Sequence, residues 1–453
     1  MAIDLNQIGS QETTSIFRGP QEPPLWDWTT TQLLEFGVLH YPNHTARPAS
    51  ATVTVLWFSL ETVLEFVHIY LATIYIGAIF TIINPMFTIK EIASAIELIG
   101  PRMIFVSRRL GFRKNDEIFQ MVSSLSTNAE KTVQVVYMRF ETSEYGSAPS
   151  YTQFVEREKV INKHQDLERD VHVKTDDVCC FQFTSGTTGP RKVNFINNGQ
   201  LAGNLLELTE KDIRCRPPPL FHWFGLVCGL LAAVSHGRTL VLPSEVFDPT
   251  KVIETLVKEK CTVFNAVPTM FQSILDQEAL SAKVSSQLSL RTGIIAAASL
   301  SRDLLQRVND RLALNGLIYP FGMTELSAVS LSTTRDISLL SNWTTVGKPL
   351  PHTSIKVIDT DGTVLPPGRS GELCLSGYLV HKGYFKVPEK SAEVAQIDEN
   401  GTARLHTGDI VSLAPDGICT VLGRVKDMIK KVNAPERRDQ ISLAGPHCSK
   451  PEH

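Results

Sequence analysis

The sequence predicts an α/β fold with largely parallel sheets, followed by a smaller β-rich unit. Helical and strand patterns alternate from about residue 50 to residue 345 of the 453-residue chain, as in βα repeats. Beyond residue 345, short strands are separated by Asp-Gly and Pro-Gly turns. The chain is also long enough to form more than one hydrophobic core. We therefore predict an α/β part and a β-rich subdomain.

The N-terminal part contains one stretch with two possible interpretations. Residues 1–50 are rich in Pro, Thr and Gln and have weak periodicity, apart from a predicted helix at Thr31–Leu39. Phe66–Ile89 then has no Asp, Glu, Lys or Arg over 24 residues, which is long enough to span a membrane. Polar residues and a proline interrupt this stretch. We favour a buried helix over about 61–76 and a strand over about 77–83, without stable membrane insertion.

The remaining elements are predicted from periodicity. Apolar runs predict buried strands at Arg102–Val106, Val133–Tyr137, Arg238–Leu242, Cys261–Asn265 and Arg291–Ala296. One helix covers Lys251–Lys260 with apolar residues on one face, and Ser301 caps another. Strands of the β-rich unit are predicted at Ser354–Asp359, Gly371–Ser376 and Ile418–Leu422. The predicted boundaries are 1–50, 51–345, 346–422 and 423–453.

The composition excludes several classes of protein. Apolar content of 43% and charged content of 20% indicate a globular chain, and a net charge of −3 gives no reason to expect nucleic-acid binding. The 8 cysteines are scattered without a Cys-x-x-Cys pair, which indicates free thiols in a reducing compartment. No secretory signal or C-terminal Ser-Lys-Leu is present, so the prediction is cytoplasmic, with peroxisome and mitochondrion left open. The oligomeric state is also open.

A cluster of hydroxyl and glycine residues follows the apolar run Val178–Phe183, a predicted strand. It comprises Thr184, Ser185, Gly186, Thr187, Thr188, Gly189, Pro190, Arg191 and Lys192. Glycines let backbone N–H groups approach a ligand, hydroxyls add donors, and lysine adds a positive charge. This chemistry suits a loop around a polyphosphate, although the Walker pattern is absent. Taken alone, the cluster could equally be a solvated turn.

Five further motifs follow in order. They are Pro219–Gly225, Phe321–Glu325, Gly371–Gly377, His406–Asp409 and Gly423–Asp427. With Thr184–Lys192, the series closely resembles the adenylate-forming (AMP-binding) superfamily, acyl-CoA synthetase branch, most similar to its medium-chain members. The resemblance covers about residues 20–432. It implies a large adenylate-forming N-terminal domain, made of two α/β subdomains and a small β-rich subdomain. It also implies a reaction that uses ATP, Mg²⁺ and coenzyme A on a carboxylic acid.

The resemblance also implies a role for individual residues. Thr184–Lys192 would wrap the ATP phosphates, with Lys192, Thr324 and Glu325 catalytic and with Glu325 and Thr184 at the metal. Phe321 would stack on adenine, opposite Ala297, Ala298 and Ser299, with Gly322 and Met323 beside it. Asp409 would accept hydrogen bonds from the ribose, Arg424 would contact ribose or phosphate, and Lys426 would lie at an interdomain hinge. His222 and Trp223 would line the acyl tunnel.

Each role has a structural alternative. His222 could be a hydrogen-bonded core histidine, and Asp409 a turn residue. Glu325 could be an ordinary carboxylate at the start of a helix. Arg424 and Lys426 could be a solvated charge pair. The ordered series of motifs favours the functional roles for Thr184–Lys192, Glu325 and Asp409 and leaves His222 balanced.

The sequence departs from the family pattern at both ends. After Ile429 the family continues into a C-terminal domain of roughly 100 residues, which holds a late catalytic lysine. Here a polar tail ends at His453, so we expect that domain to be truncated. The segment before Thr52 looks shortened, and the family's Thr-His step after Lys192 is missing. We therefore expect impaired activity, or a fragment or gene-model error.

Several functions remain open at this point. The first is an acyl-CoA synthetase-like ligase that activates a carboxylic acid, in particular a fatty acid, to acyl-AMP and then to a CoA thioester. The second is a non-catalytic protein that binds ATP or acyl groups. A third is an aryl-acid CoA ligase or a stand-alone adenylation domain. Amino-acid activation is disfavoured because no acidic residue near His222 could pair with an α-amino group.

Overall fold

The computed structural model describes the chain with gaps. The described residues are 15–22, 25, 55–58, 64–84, 87–107, 109–110, 113–114, 116–126, 133–138, 149–161, 177–184, 187–193, 196–244, 246–296, 298, 300–314, 316–335, 344–398 and 401–425. The predicted helix at Thr31–Leu39 lies outside them. No helix within these ranges is long and apolar enough to cross a membrane.

Twenty-two strands occur in the described residues. They are β1 (Ile16–Arg18), β2 (Val55–Phe58), β3 (Phe80–Ile82), β4 (Met103–Ser107), β5 (Arg109–Leu110), β6 (Arg113–Lys114), β7 (Gln134–Met138), β8 (Cys180–Thr184), β9 (Thr187–Val193), β10 (Ile213–Cys215), β11 (Thr239–Val241), β12 (Val263–Ala266), β13 (Thr292–Ile295), β14 (Leu317–Ile318), β15 (Pro320–Phe321), β16 (Leu331–Ser332), β17 (Thr345–Pro349), β18 (Thr353–Ile358), β19 (Ser370–Gly377), β20 (Ala395–Ile397), β21 (Ala403–Leu413) and β22 (Cys419–Arg424).

The helices of the described residues are mostly short. They are α1 (Leu64–Tyr75), α2 (Ile89–Ile99), α3 (Asp116–Ser126), α4 (Tyr151–Ile161), α5 (Ile196–Leu205), α6 (Trp223–Gly225), a π-helix (Leu226–Leu231), α7 (Ala232–Ser235), α8 (Pro249–Lys258), α9 (Pro268–Leu275), α10 (Ala282–Ser285), α11 (Arg302–Leu312), a 3-10 helix (Thr324–Leu326) and α12 (Pro388–Val394).

Two sheets form the α/β part. The first has the order β7-β4-β2-β3-β8-β9 and is parallel except for the antiparallel pair β8–β9. The second has the order β11-β10-β12-β13-β14 and is parallel throughout. Helices pack on both sheets and bury the apolar residues that the periodicity marked. The predicted α/β class with parallel sheets is therefore confirmed.

The third sheet is antiparallel and has nine strands. Its order is β1-β18-β19-β21-β22-β17-β16-β15, with β20 paired to β21. It has its own core, which includes Phe17, Leu326, Ile355, Leu373 and Leu405. The sheet takes strands from both sides of residue 345, because β1, β15 and β16 precede it. The predicted domain boundaries stay a proposal.

Local sequence signals explain several ends of these helices. Thr88 and Glu91 form a reciprocal capping box at α2, and Gly100 ends that helix in the left-handed conformation. The Asp248 side chain accepts hydrogen bonds from Thr250 N and Lys251 N at the start of α8. The predicted cap at Ser301 is confirmed, because its side chain accepts from Leu304 N. These caps fix where each helix begins relative to its sheet.

Candidate active site

The predicted site segments follow the carboxyl ends of parallel strands. Thr184 ends β8, His222 follows β10, Ala298 follows β13, and Phe321 follows β14. In open α/β sheets, ligands bind outside these strand ends. The topology therefore brings to the same side of two sheets segments that are far apart in sequence.

The predicted phosphate loop is largely a strand. Thr184 pairs with Thr187, and β9 continues antiparallel to β8 as far as Val193. The expectation of a loop through Lys192 is therefore wrong for the backbone of residues 187–192. A proline is tolerated there because β9 is an edge strand of its sheet. Ser185 and Gly186 lie outside the described residues.

The segment from Phe321 to Glu325 leads from β15 towards β16 of the third sheet and then turns sharply. Phe321 ends β15, and Glu325 lies within the 3-10 helix. Ser327 and Ala328 follow with φ angles of 54° and 88°, in the left-handed region that is unfavourable for residues other than glycine. Such backbone strain persists only where the surroundings impose it, and it concentrates at functional sites.

Side chains from two other regions hold this strained turn. Asn198 of α5 donates from Nδ2 to Leu326 O (3.3 Å) and to Ser327 O. The Tyr378 hydroxyl donates to Asn198 Oδ1 (2.6 Å), and Ser327 Oγ donates to Leu379 O (2.8 Å). Because α5 follows the β8–β9 hairpin, these bonds connect the hairpin side of the first sheet to the turn.

Close packing restricts the residues just before this turn. A Cβ on Gly322 would lie 1.7 Å from Ala328 O, so only glycine fits without movement. Gly322 is exposed, and Met323 and Thr324 are half-buried. Phe321 and Met323 pack against the core of the third sheet. Among the predicted adenine-side residues, Phe321 and Met323 are thus partly buried against a core while Gly322 stays accessible.

Asp409 lies inside β21 rather than in an isolated turn. Its side chain is 6% exposed and its Oδ1 lies 3.0 Å from Arg424 Nε, while the Arg424 side chain is 64% exposed. Burial raises the pKa of Asp409, and Arg424 opposes that shift. The carboxylate therefore lacks a buried cationic partner among the described residues, which suits an acceptor for ligand hydroxyl groups.

Glu372 positions the backbone next to Asp409. Its Oε1 accepts a hydrogen bond from Gly408 N (2.9 Å), and its Oε2 contacts His406 Nδ1 (3.1 Å). The His406 hydrogen bond lowers the pKa of Glu372. Gly408 has a φ of +72°, which glycine adopts without strain. Glu372 and His406 belong to two of the sequence motifs, but their pairing becomes apparent only in the folded chain.

His222 and Trp223 differ in exposure. Trp223 is buried in the core of the first sheet, where Ala328 packs against the same cluster. His222 is exposed and caps α6, with Nδ1 accepting from Phe224 N (3.2 Å). Surrounding protein and the charge of Arg216 lower the pKa of His222. A side chain that is accessible yet closely surrounded by protein is typical of a cavity wall. The alternative of a core histidine is therefore not favoured.

Besides Ser185 and Gly186, three further predicted residues cannot be placed. Ala297, Ser299 and Lys426 lie outside the described residues. Ala298 is described, is exposed, and its carbonyl accepts a hydrogen bond from the Tyr319 hydroxyl (3.1 Å). The Tyr319 contact was missed by the sequence analysis, because only the fold brings the ends of β13 and β14 together.

The sequence is similar to a known enzyme family and to several acyl-CoA ligases. The model of a family described as AMP-binding enzyme matches residues 54–385. An acyl-CoA ligase, sidI, from Aspergillus fumigatus is 36% identical over 372 residues, which cover 81% of this chain and 62% of the relative. The acyl-CoA ligase SID4 from Ajellomyces capsulatus is 35% identical, with 93% of this chain and 77% of the relative covered. The chain thus spans only part of these relatives.

Solved structures show the same fold. An anthranilate CoA ligase, AuaEII, in complex with anthranoyl-AMP matches with a TM-score of 0.73 and 22% identity. The match covers 90% of this chain and 80% of that structure. At this identity the likeness concerns the fold alone.

Proposed function

This chain belongs to the AMP-binding enzyme family, and we propose that it activates a carboxylic acid with ATP to an acyl-adenylate and transfers the acyl group to coenzyme A. The observation that carries the proposal is the strained turn after Glu325. Contacts from the first and third sheets meet there: Asn198 from beside the hairpin, Ala328 against the Trp223 core, and Phe321 in the third sheet. An ordinary loop has no need of such restraint.

The residues present fit ATP and a magnesium ion. Glu325 offers hard carboxylate oxygens, which Mg²⁺ prefers, and it lies in the 3-10 helix between β15 and β16. The buried carboxylate of Asp409 can accept two hydrogen bonds from ribose hydroxyls. Phe321 would supply an aromatic face for adenine, and Ala298 is exposed. Bound Mg²⁺ would neutralise phosphate charge.

The chemistry needs no general base. The acid is ionised at neutral pH, so its oxygen can attack the α-phosphorus directly while pyrophosphate leaves. Lys192, Thr324 and the backbone of Thr184–Lys192 would hold the phosphates in line and offset the developing charge. The thiol of coenzyme A would then displace AMP from the acyl-adenylate to give the thioester.

His222 and Trp223 would form part of the wall for the acyl group, which favours an apolar acid, including the fatty acids that the medium-chain resemblance implies. Lys426 would lie at a hinge, and Arg424 would contact the ribose or phosphate. These assignments rest on the resemblance and on the exposure of His222 and Arg424.

Acid-dependent exchange between ATP and pyrophosphate tests the proposal. Fatty acids of several lengths and aryl acids should be compared on the purified protein. Lys192→Ala and Glu325→Gln should each reduce exchange by about a hundredfold or more, since each removes charge stabilisation of the transition state. Lys258→Ala is the matched control, because Lys258 is an 83% exposed lysine on α8.

The outcomes separate the alternatives. Exchange that survives both active-site substitutions contradicts the site. Binding of ATP without any exchange by the folded protein would favour the non-catalytic binder. Exchange confined to aryl acids would identify an aryl-acid ligase.

A further inference from the structure

Three side chains of the kinds that bind transition metals meet on one face of the third sheet. They are Glu372 and Cys374 of β19 and His406 of β21, and one ligand atom from each lies within 4.8 Å of the other two. His406 Nδ1 lies 3.6 Å from Cys374 Sγ and 3.1 Å from Glu372 Oε2. Because both contacts are made by the same ring nitrogen, the three atoms form a compact triangle.

Strand pairing produces this arrangement. Cys374 lies opposite His406 in the antiparallel pair of β19 and β21, and a bulge follows, so that Glu372 lies opposite Ile410. Glu372 and Cys374 are two residues apart and share one face of β19, whereas Leu373 between them belongs to the core on the other face. Bulges re-aim side chains and are common next to active sites. Since 32 positions separate Cys374 from His406, the set forms only in the folded chain.

The separations match those between ligands of a tetrahedral zinc ion. Bonds of about 2.3 Å to sulfur and about 2.0 Å to nitrogen place the sulfur and nitrogen atoms about 3.5 Å apart, and a carboxylate oxygen about 3.3 Å from the nitrogen. The observed distances are 3.6 Å between Cys374 Sγ and His406 Nδ1 and 3.1 Å between His406 Nδ1 and Glu372 Oε2. An ion between them therefore requires only a small movement of the Glu372 side chain.

The donor set suits Zn²⁺ and not Mg²⁺. Thiolate, imidazole and carboxylate are the three protein ligand types of zinc, and a water molecule can take a fourth position. Mg²⁺ instead requires an octahedron of oxygen atoms. The set therefore differs in chemistry from Glu325, which offers carboxylate oxygens alone.

The three side chains differ in exposure. Cys374 is 0% exposed, whereas the side chains of Glu372 and His406 are 25% and 23% exposed, which gives an ion access from their side. Burial raises the pKa of the Cys374 thiol to about 12, so the thiol is neutral without metal. Formation of a zinc–sulfur bond therefore releases the thiol proton to the solvent.

Nearby cations oppose binding of a metal only in part. Lys356 lies opposite Cys374 on β18, and its positive charge acts on the thiol. Arg404 also acts on Cys374, but its Nε donates to Asp398 Oδ2 at 2.6 Å, which offsets its charge. One carboxylate and one thiolate would neutralise the two charges of the ion itself.

We propose that Glu372, Cys374 and His406 bind one Zn²⁺ ion that connects β19 and β21 beside Gly408. Glu372 Oε2 is the ligand atom, and Oε1 keeps its hydrogen bond with Gly408 N (2.9 Å). The ion thus fixes the backbone that precedes Asp409 and stabilises the third sheet. The inference does not depend on the proposed function, because it concerns metal binding by the folded chain.

Titration of the metal-free protein with Zn²⁺ against a chromophoric chelator tests the proposal. The wild type should bind one ion per chain at this site, its melting temperature should rise, and a large excess of Mg²⁺ should not displace the ion. Cys374→Ala and His406→Ala should each weaken binding by at least about a hundredfold, more than the loss of an outer-shell partner. Cys419→Ala is the matched control, because Cys419 is also buried in this sheet but lies on its core face, and it should keep full affinity.

Substitution with cobalt(II) detects the thiolate directly. The wild type should show a sulfur-to-cobalt charge-transfer band in the near ultraviolet, which Cys419→Ala keeps and Cys374→Ala loses. Cys374→Ser serves as a second variant, and circular dichroism identifies which of the two folds. Absence of the band from the folded wild type would overturn the inference. So would a band or a Zn²⁺ affinity that a folded Cys374 variant retains in full, since the ion would then be held by other residues.

Discussion

Replacement of Asp409 by Asn should separate nucleotide binding from folding. The substitution keeps the shape and one carbonyl acceptor of the side chain and removes its charge. Within the described residues, the buried Asp409 carboxylate forms an ion pair with Arg424, whose side chain is 64% exposed. Such a pair contributes about 0–1 kcal/mol. Burial destabilises the charged carboxylate, so removal of the charge stabilises the folded protein by about as much as the lost ion pair contributed. The free energy of unfolding should therefore change by less than about 1 kcal/mol.

The effect on ATP binding should be much larger. Two ribose hydroxyls that donate to a carboxylate make charge-assisted bonds of about 1.5–3 kcal/mol each, against about 0.5–1.5 kcal/mol for neutral partners. The loss of about 2–4 kcal/mol predicts ATP binding weaker by about 30- to 700-fold. Titration calorimetry with ATP and with 2′-deoxy-ATP completes a double-mutant cycle. The wild type should lose affinity for the deoxy nucleotide, and Asp409→Asn should lose little more.

The pH dependence of stability gives an independent check on Asp409. Its pKa is raised in the folded protein above the ordinary value of 3.8. A raised pKa means that this carboxyl favours the folded state at low pH and that the contribution is lost as pH rises through the folded pKa. The free energy of unfolding of the wild type should therefore be close to that of Asp409→Asn below about pH 4, where the carboxyl is protonated. Above that pH the wild type should lose stability relative to Asp409→Asn. Unchanged ATP affinity in Asp409→Asn, or a melting temperature lower by more than about 5 °C, would refute this account of Asp409.

Three further substitutions test the fold around the site. Asp212→Asn should lower the free energy of unfolding by about 2–3 kcal/mol, since it breaks the bidentate contact with Arg291. That contact lowers the pKa of Asp212, so the difference between wild type and variant in urea titrations should persist above about pH 4 and shrink as the pH falls further. Gly347→Ala should lower the free energy of unfolding by about 2–4 kcal/mol, because φ is +81° and a Cβ would lie 1.9 Å from a β16 carbonyl oxygen. Gly362→Ala is the control: φ is +87° but no atom lies within 4 Å of the added Cβ, so the free energy of unfolding should fall by only about 1 kcal/mol. Tyr378→Phe removes the hydrogen bond to the side-chain amide of Asn198, so the free energy of unfolding should fall by about 1–2 kcal/mol and pyrophosphate exchange should slow. An unchanged exchange rate would show that the strained turn does not need this support.

Periodicity was enough to identify most elements of the two parallel sheets. Apolar runs such as Arg102–Val106 and Cys261–Asn265 became β4 and β12, and the apolar face of Lys251–Lys260 became α8. The reason is that a strand buried on both faces must be almost wholly apolar, and a helix on a sheet must bury one stripe. The uncharged stretch Phe66–Ile89 resolved in the same way, into the buried parts α1 and β3.

Local sequence was least informative where tertiary pairing decides the conformation. Thr187–Val193 is rich in turn-forming residues, yet it is a strand because β8 offers an unpaired edge to its backbone. At the site, the motifs identified Glu325 and Asp409 by residue type and by their order along the chain, as the family pattern requires.

The sequence by itself determined the α/β class, the motif residues and the chemistry they can support. Only the tertiary structure decided that Asn198 and Tyr378 restrain the turn after Glu325, and that Glu372 positions the backbone of Gly408. It also decided that Arg216 is buried with no hydrogen-bond partner for Nε and Nη1 among the described residues. These are contacts between residues up to 180 positions apart in the chain. Periodicity reports only neighbours within one element, whereas burial and charge balance depend on which elements the fold packs together.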